Sequence, residues 1–124
     1  MINESNIIAF IATKAPAKAK HFYEHLLGLK LIREDDFALG FDAHGTMIII
    51  QKVEQFTPQQ FTALGWDVAD INVEVDELHK RGVEFARYKW LDQDDRGIWT
   101  SPGGAKVAWF KDPDGNTLSL TQFR

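Results

Sequence analysis

The chain has 124 residues, a formal net charge of −4 and no cysteine. A chain of this length forms one ordinary domain and buries enough surface to fold without covalent staples. The lack of cysteine excludes a disulfide framework, thiolate chemistry and a cysteine metal site. Lys and Arg are scattered and no targeting or membrane segment is visible. We therefore expect a cytoplasmic protein with neither nucleic-acid nor membrane partners.

The first half of the chain predicts one helix among four strands. Residues 6–12 form a short apolar run rich in β-branched residues, which is typical of a buried strand. An amphipathic helix then begins near Pro16 and ends at Gly28. Three further strands are predicted at residues 29–33, 37–41 and 46–51. The predicted order of elements is βαβββ.

The second half repeats this pattern after a polar, proline-containing segment. A short strand is predicted at residues 66–69, and a helix from Asp70 to Gly82. The remaining extended segments are predicted at residues 83–90, 97–101, 105–110 and 117–122. Two copies of one unit is the simplest interpretation. We expect a single domain over residues 1–124, with module one at about 5–53, a linker at about 54–64 and module two at about 65–124.

The predicted fold class is α+β. Two tandem βαβββ modules are expected to form a concave, cup-like mixed sheet, with one helix per module on the outside. The faces that carry no helix are then free to form a shared concave surface, which is a natural place for a ligand.

The stretch from Phe110 to Leu120 joins the last two predicted strands. Its middle, Asp-Pro-Asp-Gly-Asn at residues 112–116, predicts a tight turn, because each of these residue types favours turn geometry. The strand that follows alternates in polarity, which places Ser119 on its polar face and Leu118 and Leu120 on the other.

Three segments resemble the glyoxalase / bleomycin-resistance / extradiol-dioxygenase superfamily, which has the vicinal oxygen chelate fold. They are the helix end at residues 22–28, the helix end at 77–85 and the turn at 110–116. The resemblance implies the tandem fold over nearly the whole chain. For function it implies either a metal-dependent isomerase, dioxygenase or transferase, or a metal-free drug-binding protein.

The resemblance also implies where a metal would bind. Metal-using members place His, Gln or Glu in the first strand of each module, and Glu in the last strand of one or both. In this sequence those positions fall at or near Ile8, Ile49, Ala63 and Ser119. None of them offers an anionic or imidazole ligand, so we expect no metal and no cofactor. Gln51 and Asp67 are the nearest alternative donors.

A second metal pattern occurs in the first helix. His21, Glu24 and His25 match His-x-x-Glu-His, the inverted zinc-protease pattern. They lie opposite the apolar face of the predicted helix, so we interpret them as a solvated polar face.

The second half is rich in aromatic residues, and we expect most of them to fill the core. Alternation should turn the others onto the concave face, where rings can stack on a planar or cationic ligand. The acidic loop at residues 91–97 is expected to be solvated and mobile. No catalytic residue is assigned. The candidate ligand-binding residues are Phe10, Asp67, Trp99, Trp109 and Ser119.

The resemblance also implies a homodimer, since members of this fold commonly pair. Together with the residues at the metal positions, it favours a metal-free protein that binds a small organic molecule, cationic or aromatic, in an aromatic-lined cup. The competing hypothesis is an enzyme. It would be a lyase or dioxygenase using Gln51, Asp67 and a histidine as metal ligands, or a metal-free isomerase with Asp67 as general base. A third hypothesis is an interaction module whose cup is filled by its own side chains.

Overall fold

The computed structural model describes all residues from Met1 to Arg124. The chain divides into two compact units, Met1–Thr57 and Pro58–Arg124. Each unit contains one four-stranded sheet and one main helix. This arrangement confirms the predicted α+β fold built from tandem βαβββ modules.

The first unit begins with a short 3₁₀ turn at Ile2–Glu4, and its other elements follow in the predicted order. Its helix, α1, spans Pro16–His21 and widens into a π-helical turn at Phe22–Leu26. Its strands are β1 (Ile8–Thr13), β2 (Lys30–Glu34), β3 (Ala38–Ala43) and β4 (Thr46–Lys52). They lie in the order β1-β4-β3-β2, with β1 parallel to β4 and the other pairs antiparallel.

One face of the first sheet packs against the helical segment. Leu39, Phe41 and Ile50 are fully buried on this face, and the Tyr23 ring lies 5.9 Å from the Phe41 ring, centroid to centroid. Side chains alternate across a strand, so the residues between them point to the other face. We call the sheet face that carries no helix the open face.

The second unit contains the same series of elements. Its helix, α2, spans Ile71–Lys80, and its strands are β5 (Thr62–Asp67), β6 (Trp99–Thr100), β7 (Lys106–Lys111) and β8 (Thr117–Gln122). The sheet order is β5-β8-β7-β6, with β5 parallel to β8. Helix α2 packs on β7 and β8. The Asp70 carboxylate caps it by accepting hydrogen bonds from the backbone N–H groups of Asn72 and Val73.

Two local predictions in the second unit were wrong. Strand β5 begins at Thr62, inside the segment that we expected to be a linker, because it pairs with β8, a distant partner that local sequence does not reveal. Residues 83–90 do not form a strand. Their only β pairing is an isolated antiparallel bridge between Phe85 and Phe110.

The turn between β7 and β8 is organised by one buried carboxylate. Asp112 is 6% exposed, and its Oδ1 accepts hydrogen bonds of 2.9 Å from the backbone N–H groups of both Asp114 and Asn116. Its Oδ2 accepts a third, of 2.8 Å, from the Asn116 side chain. Gly115 has φ of +91°, a conformation that a side chain disfavours. The predicted turn is therefore confirmed, and Asp112 holds it.

No helix in the structure combines the length and the apolar character needed to cross a lipid bilayer.

Candidate functional site

Several of the candidate residues can be traced along the open face of the second sheet. Gly65 of β5, Ser119 of β8 and Trp109 of β7 are direct neighbours in the strand register. Leu118 and Leu120, on either side of Ser119, are buried on the opposite face, as predicted. Ser119 and Trp109 therefore lie side by side on the open face.

The Ser119 hydroxyl lies directly beside Gly65. A Cβ atom built on Gly65 would be 2.8 Å from Ser119 Oγ, closer than real side-chain contacts allow. No hydrogen bond within the protein involves this hydroxyl, although Ser119 is only 6% exposed. No fully buried side-chain oxygen or nitrogen lacks a partner, so the Ser119 hydroxyl keeps some access to solvent. It is free to bond a ligand.

Asp67 lies on the next row of the same face. The row runs from Asp67 through Thr121 and Val107 to Trp99. It crosses three strand spacings, so Asp67 and Trp99 are separated by roughly 14 Å at the backbone. Asp67 is exposed and forms no ion pair within the chain. A ligand that reached both ends of this row would have to be extended.

Four aromatic rings form a continuous cluster on this face. The Trp109 ring lies 6.1 Å from the Trp99 ring and 5.6 Å from the Tyr88 ring, which meets it at 87°. The Trp90 ring lies 5.0 Å from Tyr88 and is 78% exposed as a residue. We call Tyr88, Trp90, Trp99 and Trp109 the aromatic cluster. The ring faces of this cluster, and the edge-to-face contact between Tyr88 and Trp109, suit a planar or cationic ligand.

The expectation that most aromatic side chains of the second half fill the core was wrong. Trp66 and Phe85 pack against Phe110, with ring centroids 6.5 and 5.4 Å away. Only Phe110 is almost fully buried, at 1% exposure. Four other rings form the aromatic cluster, and the remaining two, Phe61 and Phe123, are 67% and 64% exposed. The reason is that Tyr88 and Trp90 lie in an irregular segment, where strand alternation does not determine which way a side chain points.

The Gln93 side chain holds the irregular segment, residues 83–90, in position through hydrogen bonds to the backbone. The Gln93 side chain donates to the carbonyls of Ala86 at 3.0 Å and Gly97 at 2.8 Å, and it accepts from the backbone N–H of Tyr88 at 2.8 Å. The Arg87 guanidinium also donates to the carbonyls of Asp94 and Asp95. The acidic loop, which we expected to be only solvated, is thus hydrogen-bonded to the backbone that carries Tyr88.

Phe10, the fifth candidate, belongs to the first unit. It lies on the open face of β1, beside Ile49 of β4, and is 56% exposed. Its neighbour on the same face, Ile8, is 48% exposed. The structure therefore brings four of the five candidates onto one face of the second sheet and places Phe10 on the open face of the other.

The positions implied for a family metal do not fit a metal ion. Ile8 and Ile49 lie on the open face of the first sheet, and Ser119 lies on that of the second. Ala63 lies at an irregularity in the β5–β8 pairing. These side chains provide one hydroxyl and no carboxylate or imidazole, which are the ligands that such sites use. No group of three or more His, Cys, Asp or Glu side chains in the chain is arranged to hold a metal.

A separate cleft of about 340 Å³ lies in the second unit, and it shares no residue with the aromatic cluster. Arg96 lines this cleft, and its guanidinium donates two hydrogen bonds, of 2.8 and 3.1 Å, to the Asp76 carboxylate. These bonds hold the pKa of Asp76 below its usual value. The lining is Val75, Asp76, His79, Glu84, Phe85, Arg87, Asp95 and Arg96.

Solved structures of similar fold include proteins with different functions. A superfamily member from Sphaerobacter thermophilus DSM 20745 is 22% identical, with a TM-score of 0.77, and the match covers 98% of this chain and 99% of that one. A lactoylglutathione lyase from Agrobacterium tumefaciens is 12% identical, with a TM-score of 0.75 and coverage of 96% and 93%. An antibiotic-binding protein from Streptomyces sp. CB03234 is 22% identical, with a TM-score of 0.74 and coverage of 98% of both chains. At these identities the likeness concerns the fold.

No curated protein matches the sequence. The sequence profile of the Glyoxalase/Bleomycin resistance protein/Dioxygenase superfamily matches residues 6–120. This match covers nearly the whole chain and agrees with the two βαβββ units. The chain belongs to the Glyoxalase/Bleomycin resistance protein/Dioxygenase superfamily.

Proposed function

We propose that this protein binds a small organic molecule on the open face of its second sheet, without a metal ion. The observation that carries the proposal is the aromatic cluster beside the unbonded hydroxyl of Ser119. Rings within stacking distance of one another offer a flat apolar surface, and the hydroxyl supplies one hydrogen bond of defined direction. The antibiotic-binding protein from Streptomyces gives a precedent for ligand binding on this fold.

The Asp67 carboxylate favours a positive group at its end of the face, whereas Lys111, hydrogen-bonded to Thr117, places a positive charge at the opposite end. Asp67 is exposed and has no cationic partner in the chain, and the net charge of the protein is −4. An aromatic ring attracts a cation through its electron-rich face, with about 0.5–2 kcal/mol per contact. A planar cation stacked on Trp109 therefore gains from the rings and from the general field of the protein.

The ligand must be longer than one ring to use all the candidate residues. Trp109 and Asp67 lie two strand spacings and one row apart, which is roughly 10 Å or more. We propose that the flat part of the ligand stacks on Trp99 and Trp109, that Ser119 bonds a polar atom near its middle, and that Asp67 faces a positive end.

Native mass spectrometry of protein purified from cells tests this proposal. The expected result is a retained organic mass of a few hundred daltons on the wild type, lost from Trp109→Ala and kept by Phe61→Ala. Phe61 is a matched control, because it is 67% exposed and outside the aromatic cluster. A bare wild-type mass, or an adduct that survives Trp109→Ala, would contradict the proposal.

An enzymatic alternative rests on Asp67. An exposed carboxylate without an ion pair can act as a general base in a metal-free isomerase, a reaction class consistent with the superfamily. The family metal positions hold unsuitable residues, so no metal step is derived. Turnover of 2-oxoaldehyde–thiol adducts by the wild type, abolished in Asp67→Asn, would favour the enzyme. Ligand retention with no turnover favours the binding protein.

We also propose that the chain forms a homodimer through the open face of its first sheet. Ile8 and Phe10 expose large apolar side chains there, at 48% and 56%. Burying such side chains against a second copy removes apolar surface from water, at about 25 cal/mol per Å². Phe10→Glu should lower the dimer fraction measured by light scattering at a fixed protein concentration. An unchanged molar mass would exclude this face as the interface.

A further inference from the structure

Two histidines of the first unit lie side by side on the surface of the first helix. The ring centroids of His21 and His25 are 5.1 Å apart, and their planes are inclined by 43°. Both residues are exposed, and the His25 side chain is 63% exposed. Residues four apart share a helix face, so both imidazoles reach the same volume of solvent.

The backbone beneath this pair is unusual. His21 is the last residue of α1, and Phe22–Leu26 form the π-helical turn, closed by a 3.0 Å hydrogen bond from the Leu27 N–H to the Phe22 carbonyl. π-helical turns in proteins occur frequently at functional sites. The buried side chains of Phe22 and Tyr23 hold the turn against the core, while the histidines project outwards.

A carboxylate accompanies the pair. Glu24 Oε1 lies 3.4 Å from His25 Nε2. Metal-binding histidines usually share their second ring nitrogen with a carboxylate or carbonyl, which orients the ring and makes it a better ligand. The contact leaves Nδ1 of His25 for a metal ion.

One neighbouring cation is already paired with a carboxylate. Lys20 Nζ lies 3.0 Å from Glu34 Oε1. The Lys20 charge therefore adds little repulsion to a cation bound by the two rings.

We propose that His21 and His25 together chelate a divalent transition-metal ion, with water completing its coordination. Imidazole suits Cu²⁺, Ni²⁺ and Zn²⁺, and the expected order of affinity places Cu²⁺ first. Because both rings are exposed, they are free to rotate towards metal–nitrogen distances of about 2.0–2.1 Å. No third His, Asp or Glu completes the set, so the site is open and has two protein ligands. It is independent of the open faces of both sheets and of the proposed ligand.

The test is a calorimetric titration of the untagged, full-length protein with Cu²⁺, Ni²⁺ and Zn²⁺, and with Mg²⁺ as a hard-ion control. The wild type should bind one equivalent of Cu²⁺ more tightly than the other two ions, and Mg²⁺ should give no heat. His21→Ala or His25→Ala should each weaken Cu²⁺ binding on the order of 10²-fold, because two tethered ligands act at a high effective concentration. Unchanged circular dichroism would show that both variants are folded, as expected for exposed side chains.

The matched controls are the remaining histidines, His44 in the turn between β3 and β4 and His79 on α2, which are both exposed. His44→Ala and His79→Ala should leave Cu²⁺ affinity unchanged. Electron paramagnetic resonance of the Cu²⁺ complex should show two coordinated nitrogens in the wild type and one in either paired-histidine variant. Binding that survives both paired-histidine substitutions, or that falls equally in the controls, would overturn the proposal. So would the absence of any Cu²⁺ binding by the wild type.

Discussion

Replacing Gly65 by alanine tests the close approach of β5 to the Ser119 hydroxyl. The new Cβ would lie 2.8 Å from Ser119 Oγ and 3.7 Å from the Ser119 carbonyl oxygen. Only the first contact is too short, so the strain depends on one atom. The backbone itself tolerates alanine, because Gly65 is not among the glycines with positive φ.

The magnitude follows from two opposing effects. Overpacking at a closely fitted position costs about 1–3 kcal/mol. Alanine in a strand stabilises the folded state by about 0.5–1 kcal/mol relative to glycine. Because the serine side chain can turn about one bond to relieve part of the contact, we expect Gly65→Ala to lower the free energy of unfolding by about 1 kcal/mol.

The same substitution should have the opposite sign when the hydroxyl is absent. In a Ser119→Ala background the nearest remaining atom is the carbonyl oxygen at 3.7 Å, an ordinary contact. Gly65→Ala should then raise the free energy of unfolding by about 0.5–1 kcal/mol. The interaction energy of the double-mutant cycle is the sum of these two effects, about 1.5–2 kcal/mol.

Urea denaturation of the four proteins measures the cycle, with the slope of the transition as a check that the denatured states are comparable. An interaction energy near zero would refute the reasoning. In that case the effect of Gly65→Ala on the free energy of unfolding would be unrelated to the Ser119 hydroxyl.

Three further predictions concern the framework of the second unit. Asp112→Ala removes the acceptor of three hydrogen bonds in a buried turn, so it should lower the free energy of unfolding in urea by about 3 kcal/mol, whereas Asp36→Ala, at an exposed position, should change it by less than about 0.5. A similar loss in both variants would contradict this. Gln93→Ala should weaken the near-ultraviolet circular dichroism of the aromatic cluster and cost about 1–2 kcal/mol. The exposed Asp92→Ala is its control, and an unchanged spectrum would refute the role of the glutamine. The pKa of Asp76 is lowered by its arginine partner, so its small stabilisation is present above the unfolded carboxyl pKa of about 3.9 and is lost as the pH falls through the lower folded value. Asp76→Asn should therefore lose less stability than the wild type between pH 5 and pH 2, and identical losses would contradict this.

The sequence predicted the features that depend on local periodicity and turn chemistry. The alternation of Leu118, Ser119 and Leu120 gave the correct face for each side chain, because a paired strand leaves no other choice. The turn at Asp112 was predictable for a similar reason, since its residue types each favour that geometry. The repeat of helix ends at Gly28 and Gly82 predicted two modules, and both glycines have positive φ.

The parts that the sequence did not predict depend on contacts between distant residues. Strand β5 starts earlier than its sequence indicates because β8 provides its partner. Tyr88 is positioned by the three hydrogen bonds that the Gln93 side chain makes with the backbone. No periodic pattern in the sequence predicts that a glutamine will make such contacts. The orientation of Tyr88 and Trp90 likewise depends on the irregular segment that carries them, whereas Trp99 and Trp109 lie in strands, where alternation predicts the face.

The central claim is that the aromatic cluster binds a planar organic cation without metal. Fluorescence titration with proflavine, a planar aromatic cation, in the presence of a metal chelator tests it most directly. The account predicts saturable binding to the wild type, weakened about tenfold or more by Trp109→Ala and unchanged by Phe61→Ala. Absence of saturable binding, or equal affinity of the wild type and Trp109→Ala, would contradict it.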